Sequence, residues 1–252
     1  TGNSLLVTQV DQHTIEGFLL TRQWYDRGQL QLEFWLRTDQ GAVRVIFDDQ
    51  QAVFFVESRH IQLARHALTN GKGRAQGSLP KGYWHDNPVA LKNFGGEPMH
   101  AVYFKEQRAL YRGRDVLKKA GVTAFEADIN PADRFLMERF ITGSLCVHGT
   151  VSEEHKFEGQ SFKTLRNPQI KQSSYTPTYT VLSLDIETSM QGDQLYSIGL
   201  VLGHTADDRV NDRFVFMIGP VAENGQPHLP DYLVYCEDER SLMTAFLECY
   251  HW

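Results

Sequence analysis

From Gly17 to Phe55 the chain alternates apolar and polar residues with a period of two. Leu30, Leu32, Phe34 and Leu36 are separated by Gln31, Glu33, Trp35 and Arg37, and Val43, Val45 and Phe47 repeat the pattern after the turn-forming Asp39-Gln40-Gly41. Neighbours in an extended strand point to opposite faces, so this period gathers the apolar side chains into one row, whereas a helix would scatter them around its axis. The segment predicts an antiparallel meander with one buried face.

The chain then mixes both kinds of element. Ser58 is placed to cap a helix running to Leu68, in which Ile61, Ala64 and Leu68 share a face before Asn70-Gly71. The stretch 72–96 is rich in Gly and Pro and reads as a long loop. Met99 to Phe104 reads as a strand, Glu106 to Ala120 as a helix ended by Gly121, and Thr123 to Ala127 as another strand. Asn130-Pro131 carries the capping side chain and first-turn proline of a helix start, with Leu136 and Phe140 on one face before Gly143. Residues 159–178 are polar and lack either period, and are expected to connect two domains, 1–158 and 179–252. Beyond them Tyr179 to Ile186, Leu195 to Leu202, Arg213 to Ile218 and Tyr232 to Cys236 read as strands. Leu242, Ala245, Phe246, Cys249 and Tyr250 line one face of a last helix. The fold class is therefore mixed, α/β or α+β, with a β-rich first domain.

Charge divides unevenly over this frame. Residues 1–58 sum to −4, residues 59–119 to +8 and residues 120–252 to −10. An acidic chain with one basic segment is expected to offer a local phosphate-binding surface or, equally, a set of solvated helix faces. Within that segment Arg108, Arg112, Asp115 and Lys119 form a mostly basic helical stripe near Tyr103, Phe104 and Tyr111. Cations interleaved with aromatic rings suit single-stranded nucleic acid; the alternative is that Tyr103 or Phe104 is core. No apolar run approaches the roughly 20 residues of a membrane helix, and Thr1 to Val10 lacks a basic region followed by an apolar one. Cys146, Cys236 and Cys249 are widely spaced and never form Cys-x-x-Cys, which fits buried or neutral thiols in a reducing, cytoplasmic setting and offers no zinc site. His60 and His66 are six apart, outside helical ligand spacing. Gly71-Lys72-Gly73 lacks the spacing of a phosphate loop.

The sharpest chemical feature is Leu184-Asp185-Ile186-Glu187-Thr188, at the end of a strongly apolar strand. Asp185 and Glu187, two residues apart, project to one face while Ile186 turns to the core. Paired carboxylates repel one another unless a cation lies between them, and hard oxygen donors suit Mg²⁺ or Mn²⁺. Such a pair fits two-metal phosphodiester hydrolysis.

The string DIETS, after an apolar strand and before LYSIGL, resembles the first exonuclease motif of family B DNA polymerases. EADINPADRFLMERFITGS, residues 126–144, is similar to the corresponding segment in the bacterial DNA polymerase II branch, and GFLLTRQWYD and GVTAFEAD extend the similarity. The resemblance implies an N-terminal domain over 1–158, a linker over 159–178, and over 179–252 the opening strands and helix of an RNase H-like 3′→5′ exonuclease domain. It implies that Asp185 and Glu187 are catalytic metal ligands and that Thr188 lies where its backbone or hydroxyl could approach the primer terminus, with no catalytic role carried over to it. The partners implied are primer-template DNA with a single-stranded 3′ end, dNTPs, and a sliding clamp engaged through other regions. The family's remaining exonuclease and polymerase motifs are expected beyond Trp252. The stretch is therefore expected to be a fragment that holds Mg²⁺ weakly or not at all and is nearly inactive alone. The rival readings are a stand-alone 3′→5′ exonuclease of the same superfamily and a non-catalytic nucleic-acid-binding module.

Overall fold

The computed structural model describes residues 12–70, 79, 82–157, 160–205, 207–219 and 230–250. The segment Thr1 to Val10, the Gly71-Lys72-Gly73 turn and Trp252 lie outside these. The chain divides into two compact units, Thr1–Pro177 and Thr178–Trp252.

In the first unit the meander forms as the period requires. β1 (Gln12–Asp26), β2 (Leu30–Thr38) and β3 (Gly41–Gln50) pair antiparallel in sequence. Leu30, Leu32, Phe34 and Leu36 are almost completely buried, with Val43, Val45 and Phe47 beside them. Two later strands close the sheet. β7 (Ser144–Phe157) pairs antiparallel with β1 through its first half and with β8 (Gln160–Arg166) through its second, and β8 runs parallel to β3. The ring β1-β2-β3-β8-β7-β1 is a five-stranded barrel, and β9 (Gln169–Gln172) adds to β7.

Between β3 and β7 the chain builds a second sheet and its helices. β4 (Ala52–Glu57), β5 (Trp84–Lys92) and β6 (Pro98–Phe104) form an antiparallel sheet in the order β4-β6-β5. α1 (Ile61–Asn70) and α2 (Gln107–Lys119) pack on each other and on β4, and α2 also on β6. α3 (Pro131–Met137) lies on β1 and β2, where Phe135 meets Phe34 and Phe47. One apolar cluster joins the barrel and these elements.

Several expectations need correction. The stretch 159–178 is not an irregular connection, because β8 and β9 occupy most of it; β8 is too polar to show a period and owes its ladder to β3 and β7. The 72–96 loop contains β5, an edge strand in which Pro88 is tolerated since, among the described residues, only one side of the strand is paired. Thr123 to Ala127 forms only an isolated bridge, Phe55 to Phe125. Ser58 does not cap α1: it lies in a short 3-10 turn, and its hydroxyl hydrogen-bonds with His100 Nδ1 at 2.9 Å. α3 does start as expected, with Asn130 Oδ1 accepting from the Ala132 amide at 2.9 Å. It ends earlier than expected, leaving Phe140 exposed at φ 55°.

The second unit is a four-stranded sheet ordered β10 (Thr180–Thr188), β11 (Leu195–His204), β12 (Asp207–Ile218), β13 (Leu233–Cys236), antiparallel except for the parallel β12–β13 pair. α4 (Glu239–Tyr250) packs on β11, β12 and β13. Leu242 is fully buried beside Ile198, Leu200, Phe216 and Cys236, and Ala245, Phe246 and Cys249 pack around them, while Tyr250 is exposed. Cys146 and Cys236 are buried free thiols and Cys249 is half-buried. Among the described residues no helix is long and apolar enough to cross a membrane.

Candidate exonuclease site and basic face

The β10–β11 register decides which side chains share a face. Leu182, Leu184 and Ile186 stand opposite Leu202, Leu200 and Ile198, whereas Asp185 stands opposite Gly199 and Glu187 opposite Ser197. Asp185 and Glu187 therefore lie together on the face away from α4, as their spacing required. The expectation that Ile186 is buried fails. It points to the core face but is 52% exposed, with Leu184 at 48%, because α4 packs over the other three strands and β10 lies at one edge of the sheet.

Three features of the site were not anticipated. Gly199 leaves the space across from Asp185 open: a Cβ there would meet nothing within 4 Å. The register shifts between Glu187 and Thr188, which pairs with Leu195, so one extra residue on β11 bends the hairpin just past the carboxylates. Ser189 then ties the turn together. Its hydroxyl donates to Asp193 Oδ1 at 2.5 Å and accepts from the Asp193 and Gln194 amides, and Gly192 takes φ +71°. The hairpin spacing in the sequence could have located the glycine; the bulge follows only from the pairing.

Asp185 and Glu187 are both exposed, and Asp185 Oδ1 accepts from the Ile186 amide at 3.0 Å. Among the described residues no third His, Cys, Asp or Glu joins them in a group able to hold a metal. Two carboxylates facing open space do suit Mg²⁺, which commonly takes one or two protein carboxylates and fills its octahedron with water and phosphate oxygens.

On α2 the buried residues are Gln107, Ala109, Leu110, Gly113 and Leu117, which leaves Arg108, Arg112 and Lys119 on the opposite, exposed stripe. Arg108 reaches Asp26 at 4.0 Å. The aromatic part of the expected surface is reduced: Phe104 is core, Tyr103 is half-buried and stacks on His85, and Tyr111 is half-buried against the core with the Arg114 guanidinium 5.2 Å from its ring. α2 is anchored by a residue that sequence reading passed over. The Asp26 carboxylate, from the end of β1, accepts from the Gln107 and Arg108 amides at 2.9 and 3.0 Å, a cap supplied from 81 residues away.

Comparison with known proteins agrees with this layout. Residues 17–51 match the family described as DNA polymerase II, N-terminal, and residues 122–252 match DNA polymerase family B, exonuclease domain. The carboxylate-bearing sheet thus falls within an exonuclease domain of polymerase type, and the match begins ahead of it, taking in α3 and β7 to β9. The chain belongs to DNA polymerase family B. It is 34% identical over 218 residues to DNA polymerase II of Escherichia coli (strain K12), a match covering 86% of this chain and 24% of that protein. The chain thus spans about a quarter of the length of this curated relative. It shares its fold with the family B DNA polymerase of the hyperthermophilic archaeon Pyrobaculum calidifontis, at TM-score 0.52 and 13% identity, over 94% of this chain and 29% of that one.

Proposed function

We propose that this stretch is the N-terminal portion of a DNA-directed DNA polymerase with 3′→5′ proofreading, and that Asp185 and Glu187 hold divalent metal for phosphodiester hydrolysis. The observation that carries the reading is the placement of both carboxylates on one open face at a bulged strand end, opposite Gly199, in residues that match the exonuclease family. When bound, Mg²⁺ or Mn²⁺ would supply charge neutralisation at the phosphate and acidify water. Asp185 and Glu187 supply the hard oxygens, Gly199 keeps the approach clear, and the Ser189 turn fixes where the strand ends. The primer's single-stranded 3′ end is the substrate of this site; dNTPs and a sliding clamp are partners of the whole polymerase. The exposed stripe of Arg108, Arg112 and Lys119 serves as a phosphate-contacting surface.

Among the described residues the site has two protein ligands, so the chain alone should hold metal loosely and excise poorly, because positioning supplies much of a metal site's rate. The test replaces both carboxylates, Asp185→Ala with Glu187→Ala. In the isolated chain, weak Mn²⁺ binding followed by calorimetry should disappear while thermal unfolding stays put. In the polymerase that carries this stretch, excision of a mismatched primer end should fall by orders of magnitude while extension of a matched end continues. Excision at the wild-type rate would remove the metal assignment, and joint loss of excision, extension and melting temperature would make the pair structural.

A further inference from the structure

The hairpin that bears the carboxylates also holds two large apolar side chains in solvent. Met190, in the β10–β11 turn, is 101% exposed, and Tyr196, near the start of β11, is 45% exposed. Apolar residues exposed singly are ordinary on a protein surface and call for no account. These two share one short hairpin with Asp185 and Glu187, and the backbone fixes the place of each.

Met190 is the second residue of a closed turn. The Gly192 amide donates to the Ser189 carbonyl at 2.9 Å, and the Ser189 amide donates to the Gln194 carbonyl at 2.8 Å. The Ser189 hydroxyl adds its bonds to Asp193 and Gln194, so the tip is braced around Met190 while the thioether itself stays in solvent. Tyr196 is the extra residue of the β11 register shift. Ser197 stands opposite Glu187 and Leu195 opposite Thr188, which leaves Tyr196 without a partner between them. Such bulges re-aim a side chain and are common beside active sites. Three residues separate Glu187 from Met190, so their Cα atoms lie within about 11 Å, and Tyr196 adjoins the residue that faces Glu187. A nucleotide whose phosphate lies at the carboxylates carries its base into this space.

Charge decides what contact is left for a strand end. Residues 178–252 hold three arginines and no lysine against twelve Asp and Glu. Cation–phosphate pairing is therefore scarce in this unit, and its field repels a polyanion wherever no metal intervenes. The base is the uncharged part of a terminal nucleotide and offers flat faces. A tyrosine ring stacks on such a face whatever the base, and the flexible, polarizable methionine side chain adapts to any of them. A base held in a duplex is already paired and stacked, so the contact favours a frayed or mismatched end.

We propose that Met190 and Tyr196 are substrate-binding residues that clasp the 3′-terminal base of the strand whose phosphate lies at the carboxylate pair. The assignment rests on that of Asp185 and Glu187 as metal ligands.

The test uses the polymerase that carries this stretch, with single-stranded primers ending in thymidine or in an abasic tetrahydrofuran residue, which keeps the phosphate and lacks the base. The wild type should excise the thymidine end with a KM about tenfold lower, in the range of one stacked base. Met190→Ala with Tyr196→Ala should raise the KM of the thymidine end about tenfold and leave that of the abasic end unchanged, so that the preference disappears. Met190→Leu with Tyr196→Phe retains the apolar contact and should retain the preference. Asp185→Ala with Glu187→Ala separates the two assignments, since it should abolish excision of both ends. If it does so and the double alanine variant still prefers the base-bearing end, the clasp is wrong and the metal ligands stand; if excision survives the carboxylate replacement, both assignments fall. Equal KM for the two ends in the wild type, or an equal loss on both ends in the double alanine variant, would overturn the proposal.

Discussion

Asp26→Ala should unfasten α2 from the barrel. The Asp26 side chain is 4% exposed, and its two oxygens accept the first amides of α2 at 2.9 and 3.0 Å. Glu106, at the N-cap position, makes no side-chain cap of its own. The first amides of a helix have no intrahelical acceptor, so deletion leaves Gln107 N without a partner in a nearly closed setting, while Arg108 N can turn to water. A capping side chain contributes about 0.5–2 kcal/mol and hydrogen bonds to a charged acceptor about 1.5–3 kcal/mol. The two estimates overlap in describing one interaction, which puts the expected loss at roughly 2–3 kcal/mol. For a unit of this size that corresponds to a fall in melting temperature of roughly 5–10 °C. Asp26→Asn keeps one acceptor oxygen and should lose about 1 kcal/mol. Urea unfolding followed by tryptophan fluorescence reads this unit well, since Trp24, Trp35 and Trp84 all belong to it. The midpoint should drop in the order wild type, Asn, Ala, with an unchanged slope. If Asp26→Ala lies within about 0.5 kcal/mol of wild type, a range typical of surface substitutions, water has replaced the carboxylate and α2 is held by its apolar face alone.

Gly113→Ala would normally favour a helix by about 1 kcal/mol, but here the new Cβ would lie 2.7 and 2.8 Å from the ring of Phe104, which is 0% exposed. Overpacking of about 1–3 kcal/mol should dominate, so the urea midpoint should fall; a rise would show that Phe104 can yield. Asp238, ahead of α4, has its carboxyl held below the ordinary 3.8 by the Ser241 amide first, then by the Ser241 hydroxyl and Arg240. Its contribution is present above the unfolded value and is lost as pH falls through the folded one, so amide exchange across 239–250 should quicken in acid, and Asp238→Asn should flatten that dependence.

What could be read from the sequence follows from the range of the forces involved. The period of two at Leu30 to Phe47 fixed β2 and β3 and their buried face, because alternation is a property of the extended backbone itself. Asn130-Pro131 fixed the start of α3, and the Asp185-Ile186-Glu187 spacing put both carboxylates on one face, for the same local reason. Tertiary structure decided what depends on partners distant in sequence. β8 is a strand because β3 and β7 flank it, although its own residues are mostly polar, and β5 accommodates Pro88 because one of its edges is unpaired among the described residues. Ile186 is half exposed although it points to the core face, because coverage comes from α4, which packs over β11 to β13. The cap on α2 comes from Asp26, and the open space at Asp185 from Gly199. Local patterning sets which way a side chain points; what it meets there is set by long-range pairing.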